Sequence, residues 1–341
     1  VHFAFDDEQD EIRRAAGALL ARRSPIERVR EAAESRTYDP ALWRELVGLG
    51  WPGLAIPEAH GGVGLGLVEL VAVLEQTGYA VAPTPLLADV CAALVLDAAG
   101  TDAQRARWLP GIAAGEHTAT IGAARDGLAP AMPDAAGAAV LLFAEADGQV
   151  VLATPDGCTI EPRESVDRTR RHARVQRVAG ESLGEAAAGL ARAEVALAAE
   201  LVGLAQRALD IAVAYVRERR QFGHPVGAFQ GVSHRCAEML MLTESARSAT
   251  YFAAWTADAR PEQLDAASAM AKASAADAAR RVAAMAIQAH GASGFTWEVD
   301  VHWIYKRAYA TAGQLASADA CRRRVAELAA ARVRDAAQVP A

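Results

Sequence analysis

The chain has 341 residues, 52% of them hydrophobic and 23% charged, enough for a sizeable core and more than one ordinary domain needs. Its net charge of −7 argues against nucleic acid as a partner, because phosphates demand a basic face. The most apolar stretch, 186–205, is interrupted by Arg192, Glu194 and Glu200, so no membrane span is predicted.

The first region, 1–117, reads as helices. Phe5, Ile12, Leu19 and Leu20 fall near helical spacing, with acidic residues early and basic ones late, as the helix dipole prefers. Leu42, Leu46 and Leu49 repeat the pattern until Gly50, Pro52 and Gly53 break it. The segment from His60 to Gly66 resembles a phosphate-cradling loop, but Leu67 stands where the dinucleotide fingerprint needs its last glycine. A flexible turn before the next helix is the expectation. The charged start, Asp6 to Arg14, is unlike a signal peptide, which suggests a cytoplasmic protein.

In the second region, 118–182, helical periodicity disappears. Residues 139–143 and 150–154 are short apolar runs joined across Asp147-Gly148, a dipeptide suited to a type I′ hairpin turn, and a small antiparallel β unit is predicted. The third region, 183–341, is helical and Ala-rich, which suggests a bundle with close helix contacts. Leu204, Ala208, Ile211 and Tyr215 mark one face of its first helix, and Arg217, Arg219 and Arg220 arrive just before Gly223 and Pro225 can stop it. The cysteines, Cys91, Cys158, Cys236 and Cys321, lack metal-ligand spacing and read as buried small hydrophobes in a reducing compartment.

The run Arg219-Arg220-Gln221-Phe222-Gly223-His224-Pro225, followed by Phe229-Gln230, is a helix end, a turn and a new helix. Clustered guanidinium groups suit phosphate in fork geometry, and a solvated basic face is the bland alternative. This run resembles the most diagnostic motif of the acyl-CoA dehydrogenases. Gly203-Leu204-Ala205-Gln206-Arg207-Ala208-Leu209 is similar to that family's first C-terminal helix, and Gln288-Ala289-His290-Gly291-Ala292-Ser293-Gly294-Phe295 resembles its Gln-x-x-Gly-Gly-x-Gly loop. Leu49-Gly50-Trp51, Pro57-Glu58, Trp108-Leu109-Pro110 and Gly115-Glu116 also look familial, so the resemblance spans most of the chain.

The resemblance implies a mainly α fold with a small β domain: an N-terminal helical domain, a truncated central β domain and a C-terminal four-helix bundle. It also implies FAD lying between subunits. Carried over by position, Arg219 would pair with the FAD pyrophosphate and Phe222 pack beside it. Gln230 would lie near the adenosine end, and Gln288 with the backbone at Gly291 would hold the same dinucleotide. The family reaction needs a carboxylate base over the α carbon of an acyl-CoA thioester. The usual glutamate position falls in Thr311-Ala312-Gly313-Gln314-Leu315-Ala316, and the family's other base position looks like Ala193. Neither holds a carboxylate, so no catalytic residue is assigned here. The family's own-protomer FAD stretch is replaced by something like Thr120-Ile121-Gly122-Ala123-Ala124-Arg125-Asp126-Gly127, and Ala292 replaces a loop glycine.

Residues that would serve a neighbour's FAD remain, while those serving the chain's own flavin are eroded. The expectation is therefore a heterotetramer, α2β2, with a full-length acyl-CoA dehydrogenase homologue that supplies the base. The resemblance to short actinobacterial subunits of this kind suggests a steroid side-chain acyl-CoA as substrate, with an electron-transfer flavoprotein-type acceptor. Two alternatives stay open: a self-sufficient homomer using Glu194, Glu298 or Asp319, and an interaction subunit without flavin. Asp300, like Glu298, reads as a partner of a helix start, and His234 and His290 as packed or hydrogen-bonded single histidines.

Overall fold

The computed structural model describes residues 5–337; residues 1–4 and 338–341, the outer ends of the first and third expected regions, lie outside it. Six helices come first: α1 (Asp7–Arg23), α2 (Ile26–Ser35), α3 (Pro40–Gly48), α4 (Leu67–Tyr79), α5 (Leu86–Ala99) and α6 (Asp102–Ala113). Their starts are written locally. Asp6 and Gln9 form a reciprocal capping box on α1, as Thr101 and Gln104 do on α6, and Asp39 with Pro40 opens α3.

Two expectations need correction here. Leu49 caps α3 rather than joining its apolar face and is 54% exposed. The glycine segment is a stitched loop, not a flexible turn: the N–H groups of Val63, Gly64 and Leu65 donate to the carbonyls of Gly53, Ile56 and Leu54, each at 2.9 Å. A Cβ on Gly62 would lie 2.0 Å from the Ile56 carbonyl oxygen, so glycine serves backbone packing there.

Seven strands follow: β1 (Ala119–Ala124), β2 (Leu128–Pro133), β3 (Val140–Glu145), β4 (Val150–Ala153), β5 (Cys158–Arg163), β6 (His172–Arg177) and β7 (Glu181–Ser182). One sheet has the order β1-β3-β4-β7 and a second the order β2-β6-β5. The unit is mixed rather than purely antiparallel, because β1 runs parallel to β3. The β3–β4 hairpin also departs from a type I′ turn. Asp147 keeps a negative φ, Gly148 alone is left-handed at +87°, and Glu145 N donates to Gln149 O at 2.9 Å. That is a three-residue loop with glycine in its left-handed position. On β3, Leu141 and Phe143 face the small core between the sheets, while Val140 and Leu142 join the main helical core. Period-two alternation therefore reads as a continuous apolar run, because both faces are covered.

The remaining chain contains α7 (Ala187–Glu218), β8 (Arg220–Gln221), β9 (His224–Pro225), α8 (Gln230–Ala259), α9 (Leu264–His290), α10 (Val301–Ala312) and α11 (Ala318–Ala337). Helix α9 is central and packs on the other four helices of this region. Its buried side is mostly alanine, including Ala269, Ala275, Ala276, Ala279, Ala283 and Ala286, which lets the helix axes approach closely. Helices α4 and α7 meet still more closely. A Cβ on Gly203 would stand 2.0 Å from the Glu75 carbonyl oxygen, and one on Gly78 would stand 2.2 Å from that of Glu200. Cys91 and Cys321 are buried as expected, whereas Cys158 and Cys236 are only half-buried; all four are free thiols.

One buried charge network joins these parts. Glu200 on α7, fully buried, pairs with Arg170 from the β5–β6 loop and with Arg307 of α10 at 3.1 Å. Thr311 donates to its other oxygen at 2.9 Å. Arg307 continues to the carbonyls of Val81 and Ala82, at 3.1 and 2.9 Å, in the α4–α5 connection. Burial alone would raise the Glu200 carboxyl, but the two guanidinium groups and Thr311 outweigh it and hold it below its ordinary 4.5.

Two predictions follow from this packing. Gly203→Ala should cost about 3 kcal/mol or prevent folding, because rigid backbone blocks the added methyl. Gly231→Ala, on α8 with nothing within 4 Å of its Cβ position, should instead stabilise by about 0.5–1 kcal/mol; urea unfolding compares the two. Glu200→Gln should destabilise by roughly 3–5 kcal/mol, since it leaves two buried guanidinium groups uncompensated. Because the folded carboxyl is depressed, its contribution is present above the unfolded value and lost as pH falls through the folded one. Acid unfolding curves below about pH 4.5 should thus be flatter for the variant than for the parent.

Candidate functional site

Three features meet at one end of the bundle: the α7–α8 connection, the end of α9 and the start of α10. Helix α7 stops because Arg219 leaves the helical region (φ −62°, ψ 125°) while its N–H still caps the Tyr215 carbonyl. Strands β8 and β9 then pair around Phe222-Gly223, whose φ values are both positive, +51° and +80°. The type I′ geometry expected at Asp147-Gly148 therefore occurs here. A left-handed phenylalanine is sterically costly, yet the ring stays 89% exposed and only meets Phe229 edge-on at 6.2 Å. Gln230, exposed, is the first residue of α8.

The end of α9 is tied to α7 by one aromatic pair. The Tyr215 ring stacks on His290 at 4.2 Å, and its hydroxyl donates to the His290 carbonyl at 3.4 Å. His290 is buried, and its Nδ1 lies 2.7 Å from the Ala286 carbonyl, so that nitrogen carries the proton. His234 is exposed on α8. After His290, Gly291 adopts φ 63°, ψ −139°, a conformation that favours glycine, and is exposed. Gln288, also exposed, precedes it on the last turn of α9.

Arg219, Phe222, Gln230, Gln288 and Gly291 thus lie at one end of the bundle, all facing outward. No hydrogen bond or ion pair among the described residues engages the side chains of Arg219, Gln230 or Gln288. An exposed guanidinium and two exposed amides without internal partners fit a pyrophosphate-bearing ligand approaching from outside. Phe295 and Trp297, 79% and 64% exposed, extend the surface beyond Gly291.

The candidate bases have different surroundings. Glu194 is buried and held in a two-point ion pair by Arg324 of α11. Ala193 beside it is buried. Asp300 makes a bidentate bridge to Arg30 at 2.6 and 2.7 Å. Asp319 is a surface residue whose carboxyl is held low by its hydrogen bond to Arg322. Glu298 is exposed in the turn before α10.

A cavity of about 340 Å³ opens between β1, β2 and the end of α10, lined in part by Gly122, Ala123, Pro133, His172, Gln314 and Leu315. No carboxylate lines it. The Gln314 amide nitrogen is buried there without a partner among the described residues. The loop carrying it is fastened from beneath by Lys272, fully buried, whose ammonium donates to the carbonyls of Ala312 and Ala316 at 2.9 and 3.2 Å. Burial pushes this lysine down to about 8.

The buried network of Glu200, Arg170 and Arg307 and the Lys272 fastening were not recognised from sequence. Glu200 did carry a signal: a carboxylate inside a continuous apolar helix face needs buried partners.

The family model for the acyl-CoA dehydrogenase N-terminal domain matches residues 6–116, and that for the acyl-CoA dehydrogenase C-terminal domain matches residues 183–313. The acyl-CoA dehydrogenase IpdE2 of Mycolicibacterium smegmatis is 35% identical over 308 residues, covering 90% of this chain and 94% of that protein. Among solved structures, a variant of the Tcur3481-Tcur3483 steroid ACAD superposes with a TM-score of 0.86 at 31% identity, over 96% of this chain and 99% of that one. The ChsE4-ChsE5 complex from Mycobacterium tuberculosis shares the fold, with a TM-score of 0.86 at 24% identity and full coverage of both chains. Among the described residues, no helix is long and apolar enough to cross a membrane, and no cluster of three or more His, Cys, Asp or Glu is placed to hold a metal ion.

Proposed function

The chain belongs to the acyl-CoA dehydrogenase family, and we propose that it is the short subunit of a heteromeric, FAD-dependent acyl-CoA dehydrogenase. In this reading it lends binding residues to FAD held mainly by a full-length partner, which also supplies the base. The supporting observation is a contrast within one chain. The side chains of Arg219, Gln230 and Gln288, which the family resemblance assigns to the dinucleotide, face outward without a partner among the described residues, while the inward cavity is lined by no carboxylate. FAD, when bound, supplies the two-electron oxidant for α,β-dehydrogenation of an acyl-CoA thioester.

The roles of this chain are then binding and orientation. The Arg219 guanidinium would grip the pyrophosphate by charge-assisted hydrogen bonds. Phe222 would pack beside it and exclude water. Gln230 would meet the adenosine end, and Gln288 with the Gly291 backbone would hold the remaining polar edge. The assembly proposed is α2β2 with one working flavin site per heterodimer; the ChsE4-ChsE5 neighbour, named as a complex, supports a two-chain arrangement. The relative named as a steroid ACAD supports an acyl-CoA of steroid origin, with a steroid side-chain thioester the substrate to try first. An electron-transfer flavoprotein is the acceptor proposed, and reaction in the cytoplasm follows from the same reading. In the homomeric alternative Glu194 is neutralised by Arg324 and Asp319 by Arg322, which leaves the exposed Glu298 as the base that reading would have to use.

The test is flavin per chain, alone and after co-purification with the partner subunit. The isolated chain should carry little FAD, and the complex should carry one per heterodimer. Full flavin occupancy with turnover in the isolated chain would falsify the proposal. Arg219→Ala in the complex should weaken FAD retention about tenfold or more, the loss of a charge-assisted hydrogen bond worth roughly 1.5–3 kcal/mol. Unchanged flavin content would favour the flavin-free interaction subunit.

Phe222→Gly should act in opposite directions on two readouts. Relief of the left-handed side chain should stabilise the isolated chain by about 1 kcal/mol in thermal unfolding. The flavin-loaded complex should nevertheless lose affinity for FAD. Loss of stability in the isolated chain would show that the ring packs on its own subunit instead.

A further inference from the structure

The two halves of the flavin-facing surface belong to elements far apart in the chain. Arg219 follows α7, and Gln288 stands on the last turn of α9. Each is fixed locally. The Arg219 N–H donates to the Tyr215 carbonyl at 2.9 Å, and its own carbonyl accepts from the Val226 N–H at 2.8 Å, so its backbone is held on both sides. Gln288 belongs to the regular part of α9. Local bonds of this kind leave the spacing between the two residues open. That spacing depends on how α9 lies along α7.

The helix faces set that register only weakly. Between Lys272 and His290 every buried residue of α9 is alanine except Val282. The last three turns of α7 bury Ala208, Leu209, Ala212 and Val216. Small side chains bring the helices close but supply few large knobs to fix rotation and axial slide. His290 ends the alanine run. Its ring is buried and stacks on Tyr215 with centroids 4.2 Å apart and planes 28° from parallel. The bond from its Nδ1 to the Ala286 carbonyl, 2.7 Å, holds the ring in one orientation. The His290 carbonyl accepts from the Tyr215 hydroxyl at 3.4 Å and from the Ser293 hydroxyl at 2.8 Å, so the contact leads into the turn that begins at Gly291. Tyr215 also holds Arg219 through its carbonyl. One pair of residues therefore touches the backbone that supports both halves of the surface.

We propose, resting on the reading of this surface as a flavin site, that Tyr215 and His290 are positioning residues: they lock α9 against α7 so that Arg219 and Gln288 grip one dinucleotide together. A two-point grip works only when both groups are held to within about 0.5 Å, and fixing them beforehand removes the ordering cost on binding. Without the lock each group would still meet the ligand, but the two contacts would no longer reinforce one another. The rings carry more of the lock than the hydroxyl does, because a hydrogen bond of 3.4 Å is weak beside a stacked pair.

The co-purified complex, stripped of flavin, should be titrated with FAD and followed by flavin fluorescence. Tyr215→Leu should weaken FAD binding about tenfold, whereas Tyr215→Phe, which keeps the ring, should stay within about threefold of the parent. His290→Leu should match Tyr215→Leu, and the double variant should be no worse than either alone. The distinguishing readout is coupling: in a Gln288→Ala background, Tyr215→Leu should cost less than about twofold, since the grip it aligns is already gone. A merely structural role would lower the melting temperature and weaken FAD equally in both backgrounds, and that result overturns the proposal. Parent-like affinity in Tyr215→Leu overturns it too, and the flavin reading survives if Arg219→Ala and Gln288→Ala still weaken FAD. If those two variants bind FAD as the parent does, the flavin reading itself fails and the positioning role falls with it.

Discussion

The carboxylate of Glu200 is the point at which the separate parts of this chain are held to one another. It sits fully buried on α7 and faces one guanidinium from the β unit and another from α10. The α10 arginine in turn grips the carbonyls of Val81 and Ala82, so the N-terminal helices are held as well. Val81 is a β-branched residue with φ +50°, a conformation that would not persist without its surroundings. Desolvating three charged groups is costly, and the gain is geometric more than energetic: a buried pair is satisfied in one arrangement only. The close approaches of Gly78 to the Glu200 carbonyl and of Gly203 to the Glu75 carbonyl demand the same arrangement of α4 on α7.

That closure determines what is left for chemistry. Arg170, which could otherwise face the β-unit cavities, is turned inward to Glu200, and Glu194 is likewise spent on Arg324. Both of these buried acids are structural. Among the side chains without a partner, Arg219, Gln230 and Gln288 at the bundle end and Arg168 beside the β unit are exposed.

Much of the fold was legible because it rests on local rules. Helix starts carry their caps at Asp6, Asp39 and Thr101, and the α-β-α order follows from where apolar spacing changes period. The misreadings have non-local causes. Asp147-Gly148 has the composition of a two-residue turn, but strand register sets the loop at three residues. Phe222-Gly223 lacks that composition and adopts the type I′ geometry regardless. The parallel pairing of β1 with β3 depends on a connection through β2 that no local pattern encodes. At the candidate site, motif resemblance supplied the residues and the fold gathered them at one end through Tyr215 and His290, a contact between residues 75 apart that spacing could not announce.

The left-handed Phe222 bears on how such a subunit is selected. An aromatic ring held at positive φ and turned 89% to solvent lowers the stability of the isolated chain, and glycine would serve the turn better. A residue that is locally unfavourable and does not pack inside its own subunit is accounted for by contacts made outside it. Phe295, 79% exposed, extends the same argument toward the start of α10, whereas the Trp297 ring packs on His302, Trp303 and Lys306 of its own subunit. Exposed aromatic area of this kind is a liability in a solitary protein and becomes an anchor once a partner covers it. Under the proposed role, the strain at residue 222 and the unpaired guanidinium at residue 219 would be answered together by a surface carrying a phosphate and an apolar wall.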